Sequence, residues 1–285
     1  MIEVERLTFT YPNGQAKAVD NISFKVDRGQ VFGFLGPSGA GKSTVQNIMT
    51  GLLPLQQGSV RYGGKTLAEM GKSFYAQIGV SFEHPNLYEK LTGLENLRYY
   101  AGLFPSGSTR SPDQLLQLVG LTDAKHKRAG QYSKGMKQRL VFARALINQP
   151  SILFLDEPLS GLDPATSQQI KQVIMDEKKR GVTIFLTTHN MHLADDICDT
   201  VAFINEGRIL TQDSPRELKL RYGTKAVRVE WAADGEVKSE TLFLERPEDR
   251  RRLERFVASG VIQTMHSQEA TLEQIFIELT GRGLS

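Results

Sequence analysis

The segment Gly36-Pro37-Ser38-Gly39-Ala40-Gly41-Lys42-Ser43-Thr44 constrains this chain more than any other. It fits the pattern G-x-x-x-x-G-K-[ST], in which each residue type has a physical task. The glycines let the backbone curl until several N–H groups converge on phosphate oxygens. The helix N-terminus that follows adds partial positive charge. Lys42 is placed to reach β- and γ-phosphates, and Ser43 to offer a hydroxyl to Mg²⁺. With glycine at ~7% of residues, the bare pattern arises by chance about once in a hundred chains this long. Here it follows the apolar run 31–35, which reads as a buried strand. It also opens a helix expected from Lys42 to about Thr50, ended by Gly51. That setting is what the pattern requires.

A second constraint is Ile152-Leu153-Phe154-Leu155-Asp156-Glu157-Pro158, a buried strand ending in two acids. Beside a phosphate loop, Asp156 suits a magnesium ligand, and Glu157 suits a base that orients and deprotonates water. Around these two segments, apolar runs alternate with helical periodicity. The run 183–186 follows a helix beginning at Pro164, so a parallel sheet with crossover helices is expected. Residues 1–35 read as strands with a turn at Pro12-Asn13-Gly14. Residues 92–148 read as mainly helical, with stripes at Leu94, Leu97 and Ala101, at Leu115, Leu118 and Val119, and at Leu140, Ala143 and Ile147. After about residue 223 the composition shifts. Strands are expected at 226–231 and 241–244, a charged helix at 247–258, and a capping box Thr271-Leu272-Glu273-Gln274 opening a last helix.

Composition narrows the function classes. Lys+Arg 35 against Asp+Glu 32 gives +3, too weak an excess to argue for nucleic acid. One cysteine, Cys198, excludes an intrachain disulfide framework and fits a reducing compartment. The opening residues carry Glu3 and Glu5 and no long apolar stretch, so they do not read as a secretory signal. Apolar runs such as 152–155 and 182–186 fall far short of the ~20 residues a membrane span needs.

Ser133-Lys134-Gly135-Met136-Lys137-Gln138, a Ser-capped helix start just before the carboxylate strand, completes a pattern. Together with the two motifs above, it resembles the nucleotide-binding subunit of an ATP-binding cassette (ABC) transporter. Lys134 stands where that family usually has glycine, and the usual glutamine is Met136 or is shifted to Gln138. Ser160-Gly161-Leu162-Asp163 resembles the family's D-loop, although Asp163 before Pro164 is also a good helix cap. His189 resembles the switch histidine at the γ-phosphate, and Tyr11 the aromatic that stacks on adenine. The segment 78–88 has the form of the Q-loop, with Glu83 in place of the usual glutamine. A carboxylate there is a stronger magnesium ligand but cannot donate a hydrogen bond when ionised. The resemblance covers residues 1 to about 220. The stretch Leu272 to Arg282 resembles extensions on ABC-2-type exporter subunits.

The resemblance implies an α/β fold: a P-loop NTPase, RecA-like core with an antiparallel β subdomain, a helical lobe inserted at about 88–148, and a small C-terminal α+β tail. Residues 1–222 would form the nucleotide-binding domain and 223–285 the accessory one. ATP and Mg²⁺ would be bound by Tyr11, the loop 36–44, Glu83, Ser133, Gly135 and Asp163, with Ser43, Asp156 and Glu83 toward the metal. Glu157, His189 and Lys42 would carry catalysis. The implied partners are transmembrane permease subunits and a second ATPase subunit, paired head to tail. The implied place is the cytoplasmic face of the cell membrane, and the activity is ATP hydrolysis that powers transport, with export favoured. The rival reading is a soluble ABC-type ATPase acting on nucleic acid or ribosomes. Such relatives usually carry long coiled coils or two cassettes, and this sequence has no sustained heptad run and one phosphate loop.

Overall fold

A computed structural model describes residues 1–281 apart from 13, 15, 224, 234 and 235. Asn13 of the expected turn and Arg282 of the terminal stretch lie outside the described residues. The chain divides into two compact units, Met1–Asp213 and a second beginning at Ser214.

The first unit opens with β1 (Ile2–Phe9), β2 (Val19–Val26) and β3 (Val31–Leu35), followed by α1 (Lys42–Met49). Then come β4 (Gln57–Tyr62), β5 (Lys65–Thr66), the short helices α2 (Leu67–Met70) and α3 (Ser73–Gln77), and β6 (Ile78–Ser81). Three helices follow, α4 (Gly93–Ala101), α5 (Pro112–Leu118) and α6 (Lys134–Ala145). The unit closes with β7 (Ile152–Asp156), α7 (Pro164–Lys179), β8 (Thr183–Thr188), α8 (Met191–Ile197), β9 (Thr200–Asn205) and β10 (Arg208–Asp213).

Two sheets result. One is antiparallel in the order β2-β1-β4-β5; the other has the order β10-β9-β3-β8-β7-β6. In the second, every neighbour pair is parallel except β10 on β9. The strand β3 is buried along its whole length, as its unbroken apolar run requires of a central parallel strand. Between the sheets sits an aromatic core. Phe24 of β2 stacks on Phe32 at 5.3 Å, and Phe32 on Phe185 of β8 at 6.0 Å. The three helices of the lobe begin on local signals. Thr92 and Glu95 form a capping box, Pro112 occupies the first turn of α5, and Ser133 accepts from the Met136 N–H.

The second unit contains α9 (Pro215–Tyr222), β11 (Ala226–Ala233), β12 (Glu236–Phe243), α10 (Pro247–Ser259), β13 (Ile262–Gln268) and α11 (Leu272–Thr280). Its sheet is antiparallel in the order β12-β11-β13. The capping box forms as expected: the Thr271 N–H donates to Gln274 Oε1 at 2.9 Å, and the Gln274 N–H to Thr271 Oγ1 at 3.1 Å. Two points differ from the sequence reading. The boundary placed at 222/223 falls one helix earlier, because α9 packs against α11 and so belongs with the second unit. The strand β13 had no signal in the sequence, because all its residues after Ile262 are exposed and no apolar alternation marks it. Among the described residues, no helix is long and apolar enough to cross a membrane.

Candidate functional site

The parallel sheet decides where the chemistry gathers. Leu35 pairs with Thr188, and Asp156 with Thr187, so the chain leaves β3, β7 and β8 at the same edge. Ligands of open α/β sheets bind at those carboxyl ends. There a cavity of about 350 Å³ is lined by Tyr11, the loop residues Ser38, Gly39 and Gly41 to Thr44, Glu83, Asp156, Glu157 and His189, among others.

The loop needs its glycines for different reasons. A Cβ on Gly36 would lie 2.2 Å from the carbonyl oxygen of Ile204, so the backbone can pass β9 only without a side chain. Gly41 has φ 105°, and a Cβ there would meet the Ala18 carbonyl oxygen at 2.5 Å. From this position Gly41 caps α1, whose first N–H groups have no side-chain cap. Lys42 curls over the loop, donating from Nζ to the carbonyl oxygens of Gly36 at 2.7 Å and Pro37 at 2.9 Å. Burial lowers the pKa of its ammonium, while the charges of Glu157, Asp156 and Glu83 oppose that fall. A buried cation near three carboxylates, beside an α1 N-terminus without a side-chain cap, is suited to a polyphosphate held by a metal ion.

The two acids differ in their surroundings. Burial raises the Asp156 pKa; hydrogen bonds from Thr187 and Ser43 offset this, and Glu83 adds to it as a like charge. Asp156 Oδ1 accepts from the Thr187 hydroxyl. The Asp156 carboxylate, the Ser43 hydroxyl and the Glu83 carboxylate are hard oxygen donors, and the burial cost at Asp156 is one that a bound cation removes. This donor set fits Mg²⁺.

Glu157 takes φ 44°, a left-handed conformation uncommon outside glycine. The side chain shows what fixes it there. Oε2 accepts from the Thr188 hydroxyl at 2.8 Å. Oε1 accepts from the His189 N–H at 2.8 Å, and His189 Nδ1 lies 2.6 Å from the same oxygen. Oε1 thus uses both acceptor sites, and Oε2 keeps one free. The His189 side chain is 58% exposed, against 9% for that of Glu157, so the imidazole reaches outward from a buried acid.

Tyr11 is 44% exposed, its hydroxyl 3.0 Å from Thr44 Oγ1, and its ring meets Phe9 edge-on at 5.0 Å. The hydroxyl is tethered to the start of α1, and the ring remains available for stacking. Thr187 and Thr188 were missed in the sequence. Their hydroxyls look like ordinary strand side chains until β8 is paired with β7.

Ser133, Gly135 and Asp163 do not line this cavity. Ser133 caps α6 and is exposed. A Cβ on Gly135 would meet the Gly161 carbonyl oxygen at 3.0 Å, so the α6 start and the loop 160–163 pack together as a separate surface. Asp163 accepts from the Thr166 N–H at 3.0 Å and from its hydroxyl at 2.6 Å, which lowers its pKa and caps α7. Gln138 is buried within α6, so the shifted glutamine does not face that surface.

The comparisons agree with this geometry. Residues 19–160 match the ABC transporter family model. The fluoroquinolones export ATP-binding protein of Mycobacterium tuberculosis is 49% identical over 100% of this chain and 95% of its own length. The daunorubicin resistance ATP-binding protein DrrA3 of Streptomyces coeruleorubidus is 31% identical, covering 94% of this chain and 92% of its own. Among solved structures, the ATP-binding subunit of an ABC transporter superposes with a TM-score of 0.70 at 28% identity, over 78% of this chain and 93% of that one. A dimeric post-hydrolysis state of an ATP-binding cassette bound to ADP and Pi gives 0.68 at 25% identity, over 75% and 98%. With its phosphate loop, paired acids and ordered strand ends in place, the chain belongs to the ABC transporter family and is an ATP-binding, ATP-hydrolysing subunit of that family.

Proposed function

We propose that this subunit drives export through separate transmembrane subunits, with ATP held on residues 36–44 and hydrolysed by a water oriented at Glu157. The observation that carries the reading is the fixed Glu157 carboxylate, strained in backbone and anchored at both oxygens in the cavity that holds Lys42. Its free acceptor site on Oε2 takes the proton of the attacking water. His189 orients the carboxylate through Nδ1 and turns its outer nitrogen toward the γ-phosphate. Lys42 leaves the Gly36 and Pro37 carbonyls to bind phosphate oxygens, and Tyr11 stacks on adenine. Ser43, Asp156 and Glu83 would hold Mg²⁺, which would supply neutralisation of the phosphate charge when bound.

The separate surface at Ser133, Gly135 and Asp163 fits a second ATPase subunit, paired head to tail so that each α6 N-terminus meets the other subunit's ATP. A groove of about 300 Å³ beside the Glu83 loop, with Phe82, Tyr100, Phe104 and Arg144 on its walls, fits a protruding segment of a membrane subunit. Tyr88 (46% exposed), Tyr99 (49%) and Leu103 (63%) add exposed apolar side chains to this part of the helical lobe. The protein would then work at the cytoplasmic face of a membrane. Export, rather than import, is supported by the names of the full-length relatives, one for fluoroquinolone export and one for daunorubicin resistance.

Steady-state hydrolysis tests the site. Glu157→Gln lowers turnover at least about 100-fold while ATP still binds. Glu83→Ala likewise loses most turnover and keeps ATP binding, whereas Glu83→Gln stays active but needs more Mg²⁺ for half-maximal rate. Near-wild-type turnover in Glu157→Gln removes the base, and unchanged Mg²⁺ dependence in both Glu83 variants returns Glu83 to an ordinary loop acid.

A further inference from the structure

The second unit carries a groove that ATP hydrolysis does not use. It has a volume of about 510 Å³ and lies between the later part of β11 and the end of α10. Small-molecule sites span roughly 300–1,000 Å³. Its walls include Trp231, Phe256 and Val261, with Arg252 and Arg255 among them. None of its lining residues is a carboxylate. The Trp231 and Phe256 rings meet at 46° with centroids 4.6 Å apart, forming an open aromatic wedge. Both rings are half-buried, and Val261 is 44% exposed, so the apolar surface is presented to solvent in one concavity.

The two arginines are not equivalent. Arg252 faces Glu240 through both terminal nitrogens, at 2.7 and 2.6 Å, so its charge is matched. Arg255 makes one long contact, from Nε to the Arg251 carbonyl oxygen at 3.4 Å. Its terminal nitrogens have no partner among the described residues. A guanidinium fork with free N–H groups matches the two oxygens of a carboxylate. Flat apolar walls reward a ring more than a flexible chain, because stacking adds to area burial and a rigid ring loses less entropy on binding.

We propose that this groove is a binding site for a planar aromatic carboxylate, its ring on the Trp231–Phe256 wedge and its carboxylate on Arg255. The site is distinct from the ATP cavity, and its readout stands whether or not the ATPase roles above do.

Trp231 is the sole tryptophan of the sequence, so its indole N–H gives one signal in a ¹⁵N-labelled sample of the full chain. Titration with 2-naphthoate moves that signal saturably, and calorimetry gives the affinity. Neutral 2-naphthamide and non-planar cyclohexanecarboxylate bind at least tenfold more weakly. Arg255→Gln weakens 2-naphthoate about tenfold, leaves 2-naphthamide unchanged and leaves basal ATP hydrolysis unchanged. Trp231→Phe, followed by calorimetry, weakens both aromatic probes. Three results overturn the proposal: no saturable shift at millimolar 2-naphthoate, equal affinity for acid and amide, or self-association of the free protein that Arg255→Gln and Trp231→Phe abolish. The last would assign the groove to a second copy of the chain.

Discussion

Each compact unit holds an arginine–carboxylate pair of the same two-pronged form. In the first unit, Arg110 donates to Glu177 at 2.7 and 2.6 Å, with side chains 14% and 4% exposed. In the second, Arg252 meets Glu240 at 2.7 and 2.6 Å, with side chains 46% and 26% exposed. The chemistry is the same and the surroundings are opposite. Arg110 precedes α5 of the helical lobe and Glu177 lies on α7 of the core, so the first pair ties two subdomains across a dry boundary. The second ties α10 to β12 where water competes for both charges. The first unit therefore places polar groups where losing a partner is costly, as it must to hold phosphate-binding and catalytic groups in place. The second has a small core built on Leu218, Val229, Leu242, Leu272, Ile275 and Phe276, and leaves most of its strand surface in solvent.

Three experiments sharpen or break this contrast. Arg110→Met should cost the most, about 3–5 kcal/mol, because it strands a buried carboxylate. Arg180, 3.7 Å from Glu177 Oε1 but 54% exposed, compensates little. Urea denaturation checks the figure, and a loss under about 1 kcal/mol would place the pair among surface bridges. Arg252→Met should cost less than about 1 kcal/mol in the same assay, because an exposed pair exchanges protein contacts for water at little net loss. A cost equal to that of Arg110→Met would erase the contrast. Removal of everything after Asp213 should change least of all: the shortened chain binds ATP with an affinity within about threefold of the full one. Loss of nucleotide binding in a folded, shortened chain would show that the second unit shapes the ATP site.

How much of this was legible varies with what each residue answers to. The loop 36–44 could be read because its backbone must come close to a ligand, which demands glycine at fixed spacing. At Gly36 and Gly41 the structure adds a second demand, since a Cβ would strike the carbonyl oxygens of Ile204 and Ala18. Asp156 and Glu157 could be read because two acids at the end of an apolar strand are costly without a task. Thr187 and Thr188 could not, since threonine is ordinary in strands and their partners lie 31 residues away in sequence. The cap role of Asp163 and the D-loop resemblance fit the same residue, and in the single chain its side chain is engaged by Thr166. The exposed strand β13 and the allegiance of α9 were hidden for a common reason. Neither has a local pattern of its own, and each is settled by what it packs against.

The sequence by itself determined the cassette: which loop cradles phosphate, which strand ends in acids, where helices start, and the family these amount to. Those features are encoded locally, by backbone freedom, capping and apolar period, within a few residues of where they act. Only the tertiary structure decided that Glu157 sits in a left-handed conformation with its carboxylate bonded to Thr188 and His189, that Ser133 and Gly135 at the α6 start do not line the cavity of their own phosphate loop, and that Trp231 and Arg255 share a groove. Each of these depends on strand register or helix packing, which bring together residues that no local pattern relates.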